Sequence, residues 1–153
     1  MWVLLLSLVI VVLDQVTKVL VTCRFEVSES LPVIPGIFDL VYVRNPGAAW
    51  GMLGGFHALL IGLSLVVLVV LVVFRRSFMA DCAIHRAALG LMIGGIVGNL
   101  LDRIRLQYVV DFLDFHWNVH HFPAFNVADS AICVGVGLYI LSSFFPALTR
   151  PRA

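Results

Sequence analysis

Four long runs of apolar residues dominate this chain, and they decide what its solvent must be. Crossing a bilayer as a helix takes about 20 such residues. The first run covers residues 2–21 and is interrupted only by Asp14-Gln15 and Thr17-Lys18. The second, 56–74, carries no charge; the third, 87–103, reaches full length by ending on Asp102-Arg103; the fourth, 127–145, holds a single acid, Asp129. Only 12% of the 153 residues are charged and 61% are hydrophobic, with a mean hydropathy of +1.06. A soluble domain has roughly 25% charged residues, so too few remain here to coat a water-facing surface. The expected class is an α-helical integral membrane protein, a single membrane-embedded domain over 1–153 with four transmembrane helices.

The same numbers exclude other classes. A formal charge of +1 offers no electrostatic footprint for nucleic acid. Cys23, Cys82 and Cys133 are odd in number, widely spaced and in apolar company, which suggests neither a disulfide framework nor a zinc ribbon. The first run is expected to be a retained helix and not a cleaved leader, because it has no basic start and Asp14 and Lys18 interrupt it. Leu20-Val21-Thr22-Cys23 is faintly similar to the cleavage box of lipidated exported proteins, but Thr22 is larger than the Gly or Ala usual there.

Between the runs the pattern changes. Val33-Ile34-Pro35-Gly36 ends in a turn signal, and Ile37 to Val43 is rich in β-branched and aromatic residues, so 22–55 is expected to contain a small sheet at the membrane surface. Asn45-Pro46-Gly47 should break the strand, with a short interfacial helix over Ala48 to Leu53. The loop 75–86 is short and basic. The segment 104–126 reads as an amphipathic connection whose aromatics, Tyr108, Phe112, Phe115, Trp117, Phe122 and Phe125, favour the head-group level. Four spans put both termini and the 75–86 loop on one side. Lys and Arg tie at five per side, but 75–86 is the denser patch, and we assign that side to the cytoplasm.

The chemistry must lie in the polar residues that interrupt the runs, since each is expensive in lipid. Asp14, Thr17 and Lys18 fall at i, i+3 and i+4; so do Asn99, Asp102 and Arg103, and again Asn126, Asp129 and Ser130. That spacing gathers each trio on one helix face. Asp14 and Asn99 each come about a dozen residues into their span, or about 18 Å along it, and Asp129 lies at the outer start of the fourth. The three stripes are therefore expected at one level, with Asp111 and Asp114 just above. Singly, the stripes have simpler explanations: an Asp14–Lys18 pair, snorkelling of Arg103 beside Asp102, and Asn126 as an N-cap with Asp129 in the first turn. For Lys18, Ser130 and Arg105 the structural explanation leads.

Two carboxylates a few ångströms apart share a proton, so one serves as base toward water while the other polarises a carbonyl. Asp129 is the first candidate, with Asp102, Asp111 and Asp14 open as its partner. His116, His120 and His121 near Asp114 raise a zinc alternative, which a wet interfacial loop explains more simply. Gly90, Gly94, Gly95 and Gly98 suit close helix packing. A small proton- or ion-coupled transporter is the competing function, since intramembrane acids also mark proton relays; a purely structural protein is the third.

Five segments resemble the bacterial lipoprotein signal peptidase (signal peptidase II) family. They are Asp14-Gln15-Val16-Thr17-Lys18, Asn45-Pro46-Gly47-Ala48-Ala49-Trp50-Gly51, the run from Gly94 to Arg103, Val109-Val110-Asp111-Phe112, and Phe125-Asn126-Val127-Ala128-Asp129-Ser130. Pro46 and Trp50 stand where the family often has Thr and Phe. The resemblance implies an intramembrane aspartyl endopeptidase that cuts diacylglyceryl-modified prolipoproteins immediately before the lipidated cysteine. It implies a catalytic pair at Asp111 and Asp129, with Asn99, Arg103, Asn126 and Asn45 lining the site and Asp14 and Lys18 supporting it. Asp102 then orders the neighbouring helix end. We expect no metal or cofactor, a monomer among membrane lipids and, from the depth of the stripes, a site near the extracytoplasmic face of the inner membrane.

Overall fold

The computed structural model describes residues 1–48, 51–78, 82–117 and 119–145. In chain order these form α1 (Trp2–Arg24), β1 (Ser30–Ile34), β2 (Phe38–Asn45), α2 (His57–Val73), α3 (Arg75–Phe78), α4 (Ala83–Leu106), β3 (Val109–Trp117), β4 (His120–His121) and α5 (Val127–Phe144). Among the described residues, α1, α4 and α5 are long and apolar enough to cross a membrane, and α2 is a shorter apolar helix of 17 residues. At 1.5 Å per residue α2 spans about 25 Å, close to the lower limit for a hydrocarbon core. The interfacial helix expected over Ala48 to Leu53 includes Ala49 and Trp50, which lie outside the described residues, as do Arg150 and Arg152 from the charge count.

The burial pattern is that of a protein dissolved in lipid. Helix α1 buries Ser7, Asp14, Lys18 and Val21, while Leu8, Val12, Val16 and Val19 face outward. Polar inside and apolar outside is the reverse of a water-soluble helix, and it follows when the surrounding solvent is apolar. Helix α4 is central and packs against α1, α5 and α2. Its glycines make this possible. A Cβ on Gly94 would run into Ser7 and Ile10 of α1, and one on Gly95 would run into the Ala128 carbonyl of α5. The stripe from Gly90 to Gly98 therefore lets two helices approach one backbone from two sides.

The four strands form one antiparallel sheet in the order β1-β2-β3-β4. The segment 104–126, expected as an amphipathic connection, instead supplies half of this sheet. Alternation explains why: Val110 and Phe112 point into a core with Val21 and Tyr42, while Val109 and Asp111 point the other way, toward α5. The aromatics fill the sheet's margin by stacking, with Phe38 on Phe115 at 4.7 Å and Phe115 on Phe125 at 5.9 Å between centroids. The β2–β3 register pairs Val43 with Asp111 and Asn45 with Val109, after an irregularity between Leu40 and Val43.

Candidate active site

The three helical stripes meet, together with one strand. Lys18 stands at the centre, 3% exposed. Its ammonium is 2.9 Å from Asp14 Oδ2 and 2.9 Å from Asp102 Oδ2, and it donates to Asn99 Oδ1 at 2.9 Å. Lys18 thus has the Asp14 pairing expected of a structural residue, one cation shared between two buried carboxylates, and its third contact reaches further. Asp14 also accepts from the Ala128 amide at 2.9 Å, so a side chain of α1 caps the first turn of α5. Asp102 accepts from the Val110 amide at 3.2 Å, which ties the end of α4 to the start of β3.

Asp111 and Asp129 border one cavity of about 420 Å³, lined also by Asn45, Asn99, Arg103 and Ser130. Three asparagines hold the two acids, and each amide has its orientation forced. Asn99 Oδ1 faces Lys18, which can only donate, so Asn99 Nδ2 turns to Asp129 Oδ1 at 2.7 Å. Asn126 Oδ1 caps α5 at the Asp129 amide, 2.9 Å, so its Nδ2 reaches Asp111 Oδ1 at 2.7 Å. Asn45 Oδ1 takes the Gly47 amide at 2.9 Å, leaving Nδ2 for Asp111 Oδ2 at 2.9 Å. The pairing register accounts for the last contact: Asn45 lies two residues beyond Val43, the partner of Asp111, on the same sheet face.

The N-cap expected at Asn126 is present as a full capping box, with the Asp129 carboxylate accepting the Asn126 amide at 3.3 Å. Asp129 therefore belongs both to the cap and to the cavity lining. Asp111 is 2% exposed, and that burial is the largest cause pushing its carboxyl up to about 7. The charge of Asp129 pushes the same way, while the Asn45 and Asn126 amides and Lys18 pull it back. Arg103 reaches the Gly47 carbonyl at 3.3 Å, and its Nε is buried without a partner among the described residues.

Other expectations resolve locally. Thr17 bonds back to Leu13 and Asp14 of its own helix, and Ser130 bonds back to Asn126. Among the described residues Arg105 reaches only Gln15, at 3.5 Å. Asp114 is paired with His121 at 2.8 Å and His116 with Asp39 at 3.2 Å, and the two rings stack at 4.7 Å. Among the described residues no group of three His, Cys, Asp or Glu is arranged to hold a metal. One contributor was missed. Gln15 bridges Asp14 and Asp102 through Nε2 at 3.2 and 3.0 Å, and its only signal was its place beside Asp14.

The comparisons with known proteins agree with one another. The sequence profile described as "Signal peptidase (SPase) II" matches residues 6–145. The lipoprotein signal peptidase of Syntrophotalea carbinolica is 48% identical over 144 residues, covering 92% of this chain and 89% of that protein. The lipoprotein signal peptidase of Geobacter sulfurreducens is 50% identical over 130 residues, covering 83% and 81%. Two solved structures, each described as a bacterial membrane enzyme, superpose well. One has a TM-score of 0.85 at 32% identity, covering 99% of this chain and 92% of its own; the other has 0.80 at 33%, covering 94% and 92%.

Proposed function

The chain belongs to the signal peptidase II family, and from that membership we propose that Asp111 and Asp129 are its catalytic pair. It is an aspartic peptidase of the bacterial inner membrane that removes signal peptides from prolipoproteins. The observation that carries the assignment is the double attachment of Asn126, which binds the Asp111 carboxyl with its side chain and Asp129 with its cap. One residue thereby holds both acids at the rim of one cavity.

The roles follow from the surroundings. Asp111, with its carboxyl near 7, carries the proton and polarises the scissile carbonyl. Asp129 accepts hydrogen bonds on both oxygens, from Asn99 and from the Asn126 amide, and takes the proton from the attacking water. The Nε of Arg103, without a partner among the described residues, is a donor for an unwound substrate carbonyl or the developing oxyanion. A signal peptide's apolar segment is helical in lipid, so its peptide bonds are hidden until the helix unwinds at a polar pocket. The sheet formed by β2 and β3 borders that pocket and is suited to hold the chain beyond the cut.

In this reading α2 is the fourth span, both termini and the 75–86 loop are cytoplasmic, and the cavity faces the extracytoplasmic side. The cut falls immediately before the diacylglyceryl cysteine, whose acyl chains stay in lipid beside the enzyme. The enzyme works as a monomeric domain over 1–153. Family membership does not favour the transporter alternative. The test is incubation of the purified protein with a diacylglyceryl-modified prolipoprotein, with and without a chelator. Cleavage before the lipidated cysteine, unchanged by chelation, is expected; chelator-sensitive cleavage would contradict an aspartyl route.

A further inference from the structure

A second cavity, of about 490 Å³, opens where the last turns of α1 and α4 meet the β2–β3 sheet. It shares no lining residue with the catalytic cavity. The two stand back to back across one contact: Lys18 lines the second cavity and donates to Asn99, which lines the first. We propose that this second cavity binds the phosphodiester head group of a membrane phospholipid in the leaflet on the sheet side.

The guanidinium donors argue for an anion. Arg44 from β2 and Arg105 from α4 both line the cavity, and neither has a carboxylate partner among the described residues. Arg44 Nε donates to the Tyr42 hydroxyl at 3.0 Å, and its guanidinium lies over the Tyr42 and Tyr108 rings at 5.5 and 5.1 Å. That stacking fixes the plane of the fork and leaves its remaining N–H groups for a ligand. Among the described residues Arg105 makes only the long 3.5 Å contact to Gln15. Lys18 offsets one of the two charges on Asp14 and Asp102, so the two guanidinium groups meet the remaining buried charge of that pair and Glu26 in the wall. Planar guanidinium forks match the paired oxygens of a phosphate, and of the Tyr42 and Tyr108 hydroxyls, paired at 3.5 Å, one keeps its proton for a ligand.

The position argues for a lipid. The cavity sits at the level where α1 and α4 end, which is where head groups lie against spanning helices. Its rim includes Val19, 54% exposed, and Leu106, 38% exposed. Along α1 the exposed stripe continues through Val16 and Val12 toward the middle of the helix, a track for an acyl chain. A free anion would use the arginines and leave this apolar rim unoccupied.

The test is lipid titration of the purified chain in a neutral detergent, read as bound adducts by native mass spectrometry. Dioleoylphosphatidylglycerol is expected to bind about tenfold or more tightly than dioleoylglycerol, which has the same tails and no phosphate, and an Arg44→Gln/Arg105→Gln variant to lose that difference. Arg105→Gln alone removes one long contact and serves where the double variant does not fold; it should weaken phosphatidylglycerol and leave dioleoylglycerol unchanged. Equal affinity for the two lipids, or wild-type affinity in a folded variant, would overturn the proposal. So would arginine-dependent binding of sodium phosphate with no adduct from phosphatidylglycerol.

Discussion

Asn126 donates its side-chain amide to Asp111 at 2.7 Å while its carbonyl oxygen accepts the backbone amide of Asp129 at 2.9 Å. A helix cap and a carboxyl clamp are thus one side chain. Asn126→Ala should lose both functions: about 1 kcal/mol of stability from the missing cap, and a further loss of turnover. Asn126→Ser retains a capping oxygen and lacks the amide. It should recover the thermal midpoint in detergent without recovering turnover, which separates the two roles.

The Asn45 amide holds the charged form of Asp111 and so pulls its carboxyl down against burial. Removing it in Asn45→Ala should raise Asp111 further above 7. If protonated Asp111 is needed for cleavage, activity is lost as pH rises through that value, and the basic limb of the kcat/KM profile should move to higher pH in the variant. If the acidic limb moves to higher pH instead, ionised Asp111 is the working form.

Lys18 is shared between Asp14 and Asp102, all three at 3% exposure or less. Lys18→Met leaves two buried carboxylates without their cation and should destabilise the protein by about 3 kcal/mol or more. Adding Asp102→Asn should return part of that loss, because one of the stranded charges is gone. Thermal unfolding of both variants in detergent checks the order.

Gly95 admits the Ala128 carbonyl where any side chain would overlap it, whereas a Cβ on Gly137 would meet nothing within 4 Å among the described residues. Gly95→Ala should force α5 from α4 at a cost of about 1–3 kcal/mol. Gly137→Ala should be neutral or stabilising, since alanine is favoured over glycine in a helix by about 1 kcal/mol.

The legible part of this molecule was its helical part. Asp14, Lys18, Asn99, Asp102 and Asn126 could be brought to one level because helix periodicity and rise are local rules, and the structure joins all five by hydrogen bonds or ion pairs. Asp111 could not be chosen over Asp102 or Asp14 by such rules. It lies on β3, whose place depends on pairing with β2, a contact between Val43 and Asp111 far apart in the chain. Residues 109–117 read as an amphipathic connection because their aromatics suit a head-group surface as well as a strand. Asn45 was reached only through resemblance for the same reason: its amide meets Asp111 across that pairing. The role of Lys18 was half visible, since its partner Asp14 is one turn away, whereas Asn99 and Asp102 come from another helix.

The central claim is that Asp111 and Asp129 together cut the peptide bond. Its most direct measurement is processing of a lipidated prolipoprotein by purified Asp111→Asn and Asp129→Asn, each near the original in shape and each checked for wild-type unfolding behaviour. Both variants should bind the substrate and release no signal peptide. Cleavage at an appreciable rate by either folded variant would show that the missing carboxyl is not part of the catalytic pair.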